Sequence, residues 1–137
     1  MKGRILISFL LVSFVFSFQG YGQDARKTAK KLNAGIDRKL DSLTAIKADT
    51  IAYYKAIKHL MRDAVLCDHF DAMADKKGRS NPRYRFLNQK RLSSFLPLLV
   101  DAGMYEYGLR KNDEAMQYFK LYLDCIDGPL FHGNDNH

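Results

Sequence analysis

Apolar residues recur at steps of three and four along most of this chain, and that spacing predicts amphipathic helices. The clearest run comprises Ala115, Met116, Phe119, Tyr122, Leu123 and Ile126. Asn112 precedes it as a potential cap, and Gly128 and Pro129 follow it as stop signals. No segment shows the alternation of apolar and polar residues that is typical of strands. The sequence therefore predicts an all-α fold built from antiparallel helix pairs.

The same periodicity predicts where the other helices lie. Leu32, Ile36, Leu40 and Leu43 share one face of a first helix, and a wider apolar stripe marks a second. The expected helices span 25–47, 50–74, 84–109 and 113–126. Pro97 falls inside the third, which predicts one of two outcomes. Either Ser94 caps a fresh helix with Pro97 in its first turn, or one longer helix is kinked at Pro97.

The first 22 residues have the layout of a secretory signal peptide. Lys2 and Arg4 form a short basic segment, a run of 14 apolar or hydroxyl residues follows, and Gly20 and Gly22 occupy the −3 and −1 positions of a cleavage site. The run is shorter than the roughly 20 residues that span a bilayer, so an uncleaved anchor is the weaker interpretation. The sequence predicts a periplasmic or secreted product that begins at Gln23 and keeps no stable membrane anchor.

The predicted helices divide the rest of the chain into four parts. These are an N-terminal helical pair at 23–75, a basic loop at 76–83, a helical hairpin at 84–129 and a flexible tail at 130–137. Gly133, Asn134 and Asn136 disfavour regular structure in the tail.

The hairpin carries a pattern of small and large residues that points to a known repeat. Leu99, Gly103, Ala115 and Phe119 stand at the spacing of four signature positions. The hairpin thus resembles the tetratricopeptide repeat (TPR), a helix-turn-helix of 34 residues. It is similar more narrowly to exported TPR proteins of the Bacteroides group. Ala102 and Glu106 depart from the repeat pattern, at positions that usually hold leucine and an aromatic residue.

The resemblance implies the start of an α-α superhelix, in which each helix pair stacks on the next. Only one repeat is recognisable, whereas such arrays usually need three or more for stability. We therefore expect an N-terminal fragment of a longer repeat protein. The alternative is an ordinary αα-hairpin within a small bundle, because any two packed helices need apolar stripes and small residues where they cross.

The formal net charge is +7, and removal of the signal peptide would leave a net charge of about +5. Seven cations occur between positions 76 and 91 without an acidic residue among them: Lys76, Lys77, Arg79, Arg83, Arg85, Lys90 and Arg91. Export argues against nucleic acid as their target. Two interpretations stay open. The segment is a solvated loop and a polar helix face, or it binds an anionic ligand through Lys76, Lys77, Arg79 and Arg83.

Candidate chemistry is sparse. His59, Asp63 and Cys67 follow one another at steps of four, and His69 and Asp71 lie close by, but this is not typical zinc spacing. His132, Asp135 and His137 lie in the predicted tail. We expect neither metal nor cofactor, and no motif of an enzyme occurs. An exported chain with Cys67 and Cys125 permits one disulfide, which would join the helical pair to the hairpin.

These observations predict a non-catalytic scaffold that binds a protein or peptide at the cell envelope. The residues expected to contact the partner are aromatic and basic: Tyr105, Tyr107, Tyr118, Arg110 and Lys111. The alternative is a small periplasmic domain that binds an anionic ligand through the segment 76–91, with a possible metal at His59 and His69.

Overall fold

The computed structural model describes residues 21–73, 75 and 77–132. It confirms the all-α class, because the described part of the chain contains helices and no strand. The helices are α1 (Tyr21–Ile46), α2 (Thr50–Asp71), α3 (Arg85–Leu92), α4 (Leu96–Gly108), α5 (Asn112–Asp127) and α6 (Pro129–His132). The predicted signal peptide lies outside the described residues, except that Tyr21 and Gly22 begin α1. No helix in the described part is long and apolar enough to cross a membrane.

Helix α2 is the centre of the fold and packs against α1, α3, α4 and α5. It begins where the Asp49 side chain accepts a hydrogen bond of 3.1 Å from the Ala52 amide, which caps its first turn. A connection of three residues, 47–49, returns the chain from α1 so that the two helices form an antiparallel pair. Residues of α2 that are fully buried beneath its neighbours include Ile57, Leu60, Met61, Ala64 and Cys67.

The third predicted helix is in fact two helices. A 3₁₀ turn at Ser93–Phe95 separates α3 from α4, and Pro97 stands in the first turn of α4. Proline suits that position because its missing amide would have no partner inside the helix. The chain therefore starts a fresh helix, but Ser94 does not cap it: the N-cap is Phe95, without a side-chain hydrogen bond.

The C-terminal segment also differs from the expectation. Gly128 and Pro129 end α5 as predicted, yet α6 follows at once, where a flexible tail was expected from residue 130. Leu130 and Phe131 are buried, and α6 contacts α3. Apolar residues directly after the stop signal thus join the core. Residues 133–137, with Asp135 and His137, lie outside the described part.

Candidate functional site

The turn between α4 and α5 has a well-defined hydrogen-bonded form. The Lys111 amide donates to the Glu106 carbonyl at 2.9 Å, and the Arg110 amide donates to the Tyr107 carbonyl at 2.9 Å. These two bonds form a Schellman motif, which requires a left-handed residue just after the helix. Arg110 takes that conformation, with φ of 62°. The turn holds the exposed side chains of Arg110 and Lys111 at one end of the hairpin.

Helices α4 and α5 approach each other closely where Gly103 meets Phe119. A Cβ atom on Gly103 would lie 2.3 Å from Cε1 of the Phe119 ring, so only glycine fits there without movement. Leu99 and Ala115 are buried in the same hairpin. The positions behind the TPR resemblance therefore lie at packing contacts. A helical repeat and an ordinary αα-hairpin both use such contacts.

The three tyrosines expected at a partner surface do not lie on one surface. Tyr118 is only 1% exposed, so it is a core residue and the expectation that it contacts a partner is corrected. It shares a helix face with the buried residues Leu121 and Cys125, which pack toward α2. Lys58 lies above its ring at 5.0 Å, and burial raises the pKa of Tyr118 to about 12.

Tyr105 and Tyr107 point to different sides of α4. The ring of Tyr105 packs edge-on against Tyr54 of α2, with ring centroids 5.7 Å apart. Tyr107 is 61% exposed. Of the three tyrosines, only Tyr107 lies fully on the free side of the hairpin, near Arg110 and Lys111.

Tyr107 belongs to a set of exposed apolar residues on α4 and α5, which we term the outer surface. It consists of Met104, Tyr107, Met116 and Leu123, each more than half exposed. At 100° per residue, these positions lie on the flanks of α4 and α5 that face away from α2. The apolar run that the sequence marks in α5 includes Met116 and Leu123. The face that α5 buries is a different one, with Ala115, Tyr118, Leu121 and Cys125.

A buried carboxylate lies on the opposite, inner face of α4. Glu106 is 3% exposed, and its Oε2 atom is the one buried side-chain atom without a hydrogen-bond partner in the described part of the chain. Nearby, Lys58 donates to Oε1 of Gln117 at 3.1 Å. Burial lowers the pKa of Lys58, with smaller contributions from Arg62 and Lys55. Spacing alone placed Glu106 at an aromatic position of the repeat but gave no sign of this environment.

A second open surface lies between α2 and α5. It is a groove of about 520 Å³ whose apolar lining includes Val65, Leu66 and Leu121, with Arg62 and His69 among its polar lining residues. Leu66 is 45% exposed there. The sequence offered no signal for this groove, because its two walls are more than 40 positions apart.

Three arginines of the basic segment, Arg79, Arg85 and Arg91, form ion pairs with acidic residues that lie outside the segment. Arg85 donates two hydrogen bonds to the buried Asp68 carboxylate, at 2.8 and 2.9 Å. Arg91 pairs with Asp37 and donates to Asn33 at 2.9 Å, both on α1. The acidic partners, Asp68 and Asp37, lie elsewhere in the chain. The absence of acidic residues within the segment therefore did not mean that its cations are unpaired.

The four cations proposed for an anionic ligand are not equivalent in the structure. Arg79 pairs with Asp75 at 3.2 Å and is thereby occupied. Lys77 and Arg83 are exposed, and Lys76 lies outside the described residues. The Arg83 amide donates to Asp71 at 3.0 Å, and Arg83 is one of the residues that line a small pocket.

Both cysteines are buried free thiols, so the disulfide that the sequence permitted is not formed. The Cys67 thiol donates to the Ala29 carbonyl at 3.4 Å, which ties it to α1 rather than to Cys125. Burial raises the pKa of each thiol to about 12. Each cysteine therefore acts as a small apolar residue of the core.

The histidine and acidic residues of α2 do not converge on a common point. Asp63 pairs with Lys39 at 2.5 Å, and His69 packs edge-on against Phe70. No group of three or more His, Cys, Asp or Glu side chains is placed to hold a metal ion within the described residues. His59 and His69 are exposed.

In comparisons with known proteins, no family model, no curated protein and no solved structure matches the chain.

Proposed function

We propose that this chain is a non-catalytic, TPR-like scaffold that binds a protein partner through the outer surface of the α4–α5 hairpin. The observation that carries the proposal is the exposure of Met104, Tyr107, Met116 and Leu123 on one side of a hairpin whose other side is buried. The predicted signal peptide supports a place at the cell envelope, in the periplasm or outside the cell.

The composition of the outer surface suits a docking site. Tyr and Met are enriched in interfaces, and Met adapts its shape to different partners. Burying one large apolar side chain contributes about 1.5–3 kcal/mol, so a few of them support specific binding. Surface patches of this kind are uncommon unless they serve an interaction.

The charges beside the outer surface indicate the chemistry of the partner. Arg110 and Lys111 are exposed at the turn end of the hairpin, next to Tyr107. A partner that presents an apolar helix face flanked by acidic side chains would complement both features. We propose that class of partner. Of the residues first expected at the partner surface, Tyr107, Arg110 and Lys111 remain, because Tyr118 is buried and Tyr105 packs against Tyr54 on another side of α4.

The test compares two double variants of the full chain. Tyr107→Ala/Met116→Ala removes half of the outer surface, whereas Leu66→Ala/Phe86→Ala removes two exposed apolar side chains from α2 and α3. A partner would be captured from an envelope fraction, purified, and titrated by calorimetry. We expect the first variant to weaken binding by at least about tenfold and the second by less than about twofold.

Three results would overturn the proposal. One is a partner whose affinity neither variant changes, and another is a loss confined to the Leu66→Ala/Phe86→Ala variant, which would move the site to the groove or α3. The third comes from sedimentation of the chain alone. A dimer that Tyr107→Ala/Met116→Ala dissociates would show that a second copy, rather than a different protein, covers the outer surface.

A further inference from the structure

A small basic pocket lies where the N-terminal part of α1 meets the end of α2 and the residues that lead into α3. It has a volume of about 120 Å³. Its lining consists of Arg26, Lys27, Lys30, Asp71, Arg83 and Tyr84. Lys30 lies four residues after Arg26 and three after Lys27, which places it beside both of them on the helix surface.

Asp71 fixes the geometry of this pocket. Its two carboxylate oxygens accept hydrogen bonds from the amides of Arg83 and Tyr84, at 3.0 and 2.7 Å. The residue is buried, and these bonds hold the chain leading into α3 against the end of α2. The carboxylate is thus occupied by backbone donors, and the Arg83 side chain is brought next to α1.

The cations of the pocket lack carboxylate partners. Within the described residues, none of Arg26, Lys27, Lys30 and Arg83 forms an ion pair, whereas Arg79, Arg85 and Arg91 each do. Four basic residues without ion-pair partners therefore line one pocket, beside a carboxylate that backbone amides already occupy. Cations that line one cleft create a positive local potential, which attracts an anion.

We propose that the basic pocket binds a phosphate group. Arginine forks match phosphate oxygens with paired hydrogen bonds, and lysines supply further charge. The Tyr84 hydroxyl adds a neutral donor. The pocket is too small for a large organic ligand, so the phosphate enters it and the rest of a larger molecule stays outside. This site shares Arg83 with the loop cations considered from the sequence but takes its other cations from α1, and it is independent of the proposed scaffold function.

The probe for the first experiment is inorganic phosphate, titrated into the isotopically labelled full chain at constant ionic strength with chloride as the balancing anion. We expect saturable shifts of the backbone amide signals of residues 26–30 and 83–84. The variant Lys30→Gln/Arg83→Gln keeps the Arg83 backbone bond to Asp71. It should weaken phosphate binding by at least about tenfold.

The matched control is Lys47→Gln/Lys55→Gln, which makes the same change in net charge at two exposed positions outside the pocket. It should alter the dissociation constant by less than about twofold. Equal weakening by both variants would mean that phosphate responds only to the net charge, and that result overturns the proposal. Shifts that do not saturate, or that lie elsewhere in the chain, also overturn it.

A second arm distinguishes a lipid head group from a soluble phosphate. The chain is sedimented with vesicles of phosphatidylglycerol and phosphatidylcholine, and with vesicles of phosphatidylcholine alone. Binding only to the first, reversed by inorganic phosphate, would identify a phospholipid head group. Phosphate binding without vesicle binding would identify a soluble phosphate or phosphate ester. Vesicle binding that phosphate does not reverse would contradict the pocket as the site.

Discussion

At the scale of single residues, two positions in the hairpin are expected to lower the stability of the fold. Glu106 buries a carboxylate oxygen without a hydrogen-bond partner, and Arg110 adopts a left-handed backbone conformation that usually falls to glycine. The two residues lie four positions apart, at the end of α4. For each of them we predict how a substitution changes the free energy of unfolding.

The first prediction concerns Glu106→Gln. It removes a buried charge while keeping the shape of the side chain, so we expect the free energy of unfolding to rise by about 1 kcal/mol. Urea denaturation followed by circular dichroism measures the change. The control is Glu114→Gln, which removes an exposed carboxylate from the favourable first turn of α5 and should not stabilise the chain. Destabilisation by Glu106→Gln would contradict this account of the buried carboxylate.

The second prediction concerns Arg110→Gly. Glycine adopts a positive φ without a steric cost, so the variant should raise the free energy of unfolding by up to about 1 kcal/mol. At the neighbouring position, Lys111 has φ of −96°, and Lys111→Gly should instead cost about 0.5–1 kcal/mol. Thermal unfolding of the two variants side by side checks the difference. A loss of stability in both would mean that the Arg110 side chain makes a stabilising contact.

At the scale of helices, the crossing of α4 and α5 depends on one small residue. Gly103→Ala would push a methyl group into the Phe119 ring, and we expect a loss of about 1–3 kcal/mol. In the same helix, a Cβ on Gly108 would meet nothing within 4 Å. Gly108→Ala should therefore stabilise the chain by about 0.5–1 kcal/mol.

A double variant tests whether the Phe119 ring causes this cost. In a Phe119→Leu background, which removes the ring, Gly103→Ala should be less destabilising than in the native chain. Chemical denaturation of the four proteins gives the coupling energy between the two positions. Additive effects would show that the cost arises from the backbone of α4 and not from the ring.

At the scale of the whole molecule, the two buried thiols of the core should make the free energy of unfolding fall at alkaline pH. Burial raises the pKa of the Cys67 and Cys125 thiols from 9.0 to about 12. Above pH 9, the unfolded chain loses these protons while the folded chain keeps them until about pH 12. The contribution is therefore fully present below pH 9, and the free energy of unfolding should fall as pH rises through this window.

Urea denaturation at a series of pH values from 7 to 11 measures this fall. The variant Cys67→Ala/Cys125→Ala lacks both thiols and should show a shallower decline above about pH 9, although its stability at pH 7 is lower because of the lost packing. If the free energy of unfolding fell equally with pH in both proteins, the thiols would not be the source of the pH dependence.

Much of the fold is predictable from short-range pattern. The predicted helix start at residue 50 and the stop at Gly128 agree with the structure, because caps and stop residues act on their own neighbours. Asn112 does not cap α5: it is the first residue of the helix, and the N-cap Lys111 makes no side-chain hydrogen bond. Gly103 also appears as a close-packing residue in the sequence itself. The break before Pro97 was one of two outcomes left open, since a proline restricts only the turn around it.

The functional surfaces were harder to predict. Met116 belongs to the apolar run of α5 and is 65% exposed, whereas Tyr118 was expected to contact a partner and is 1% exposed. Which flank of a helix is covered depends on neighbours that are far away in the sequence. The basic pocket likewise joins α1 to Arg83, more than 50 positions later.

The sequence by itself determined the all-α class, the approximate ends of most helices and the core-facing side of α1, because these depend on residues within a few turns of one another. Only the tertiary structure decided which flanks stay exposed, which cations find carboxylates and where the unpaired ones meet. The pairing of Arg91 with Asp37 and the burial of Glu106 follow from contacts between distant segments. No local spacing encodes such contacts, because they depend on how the helices pack around α2.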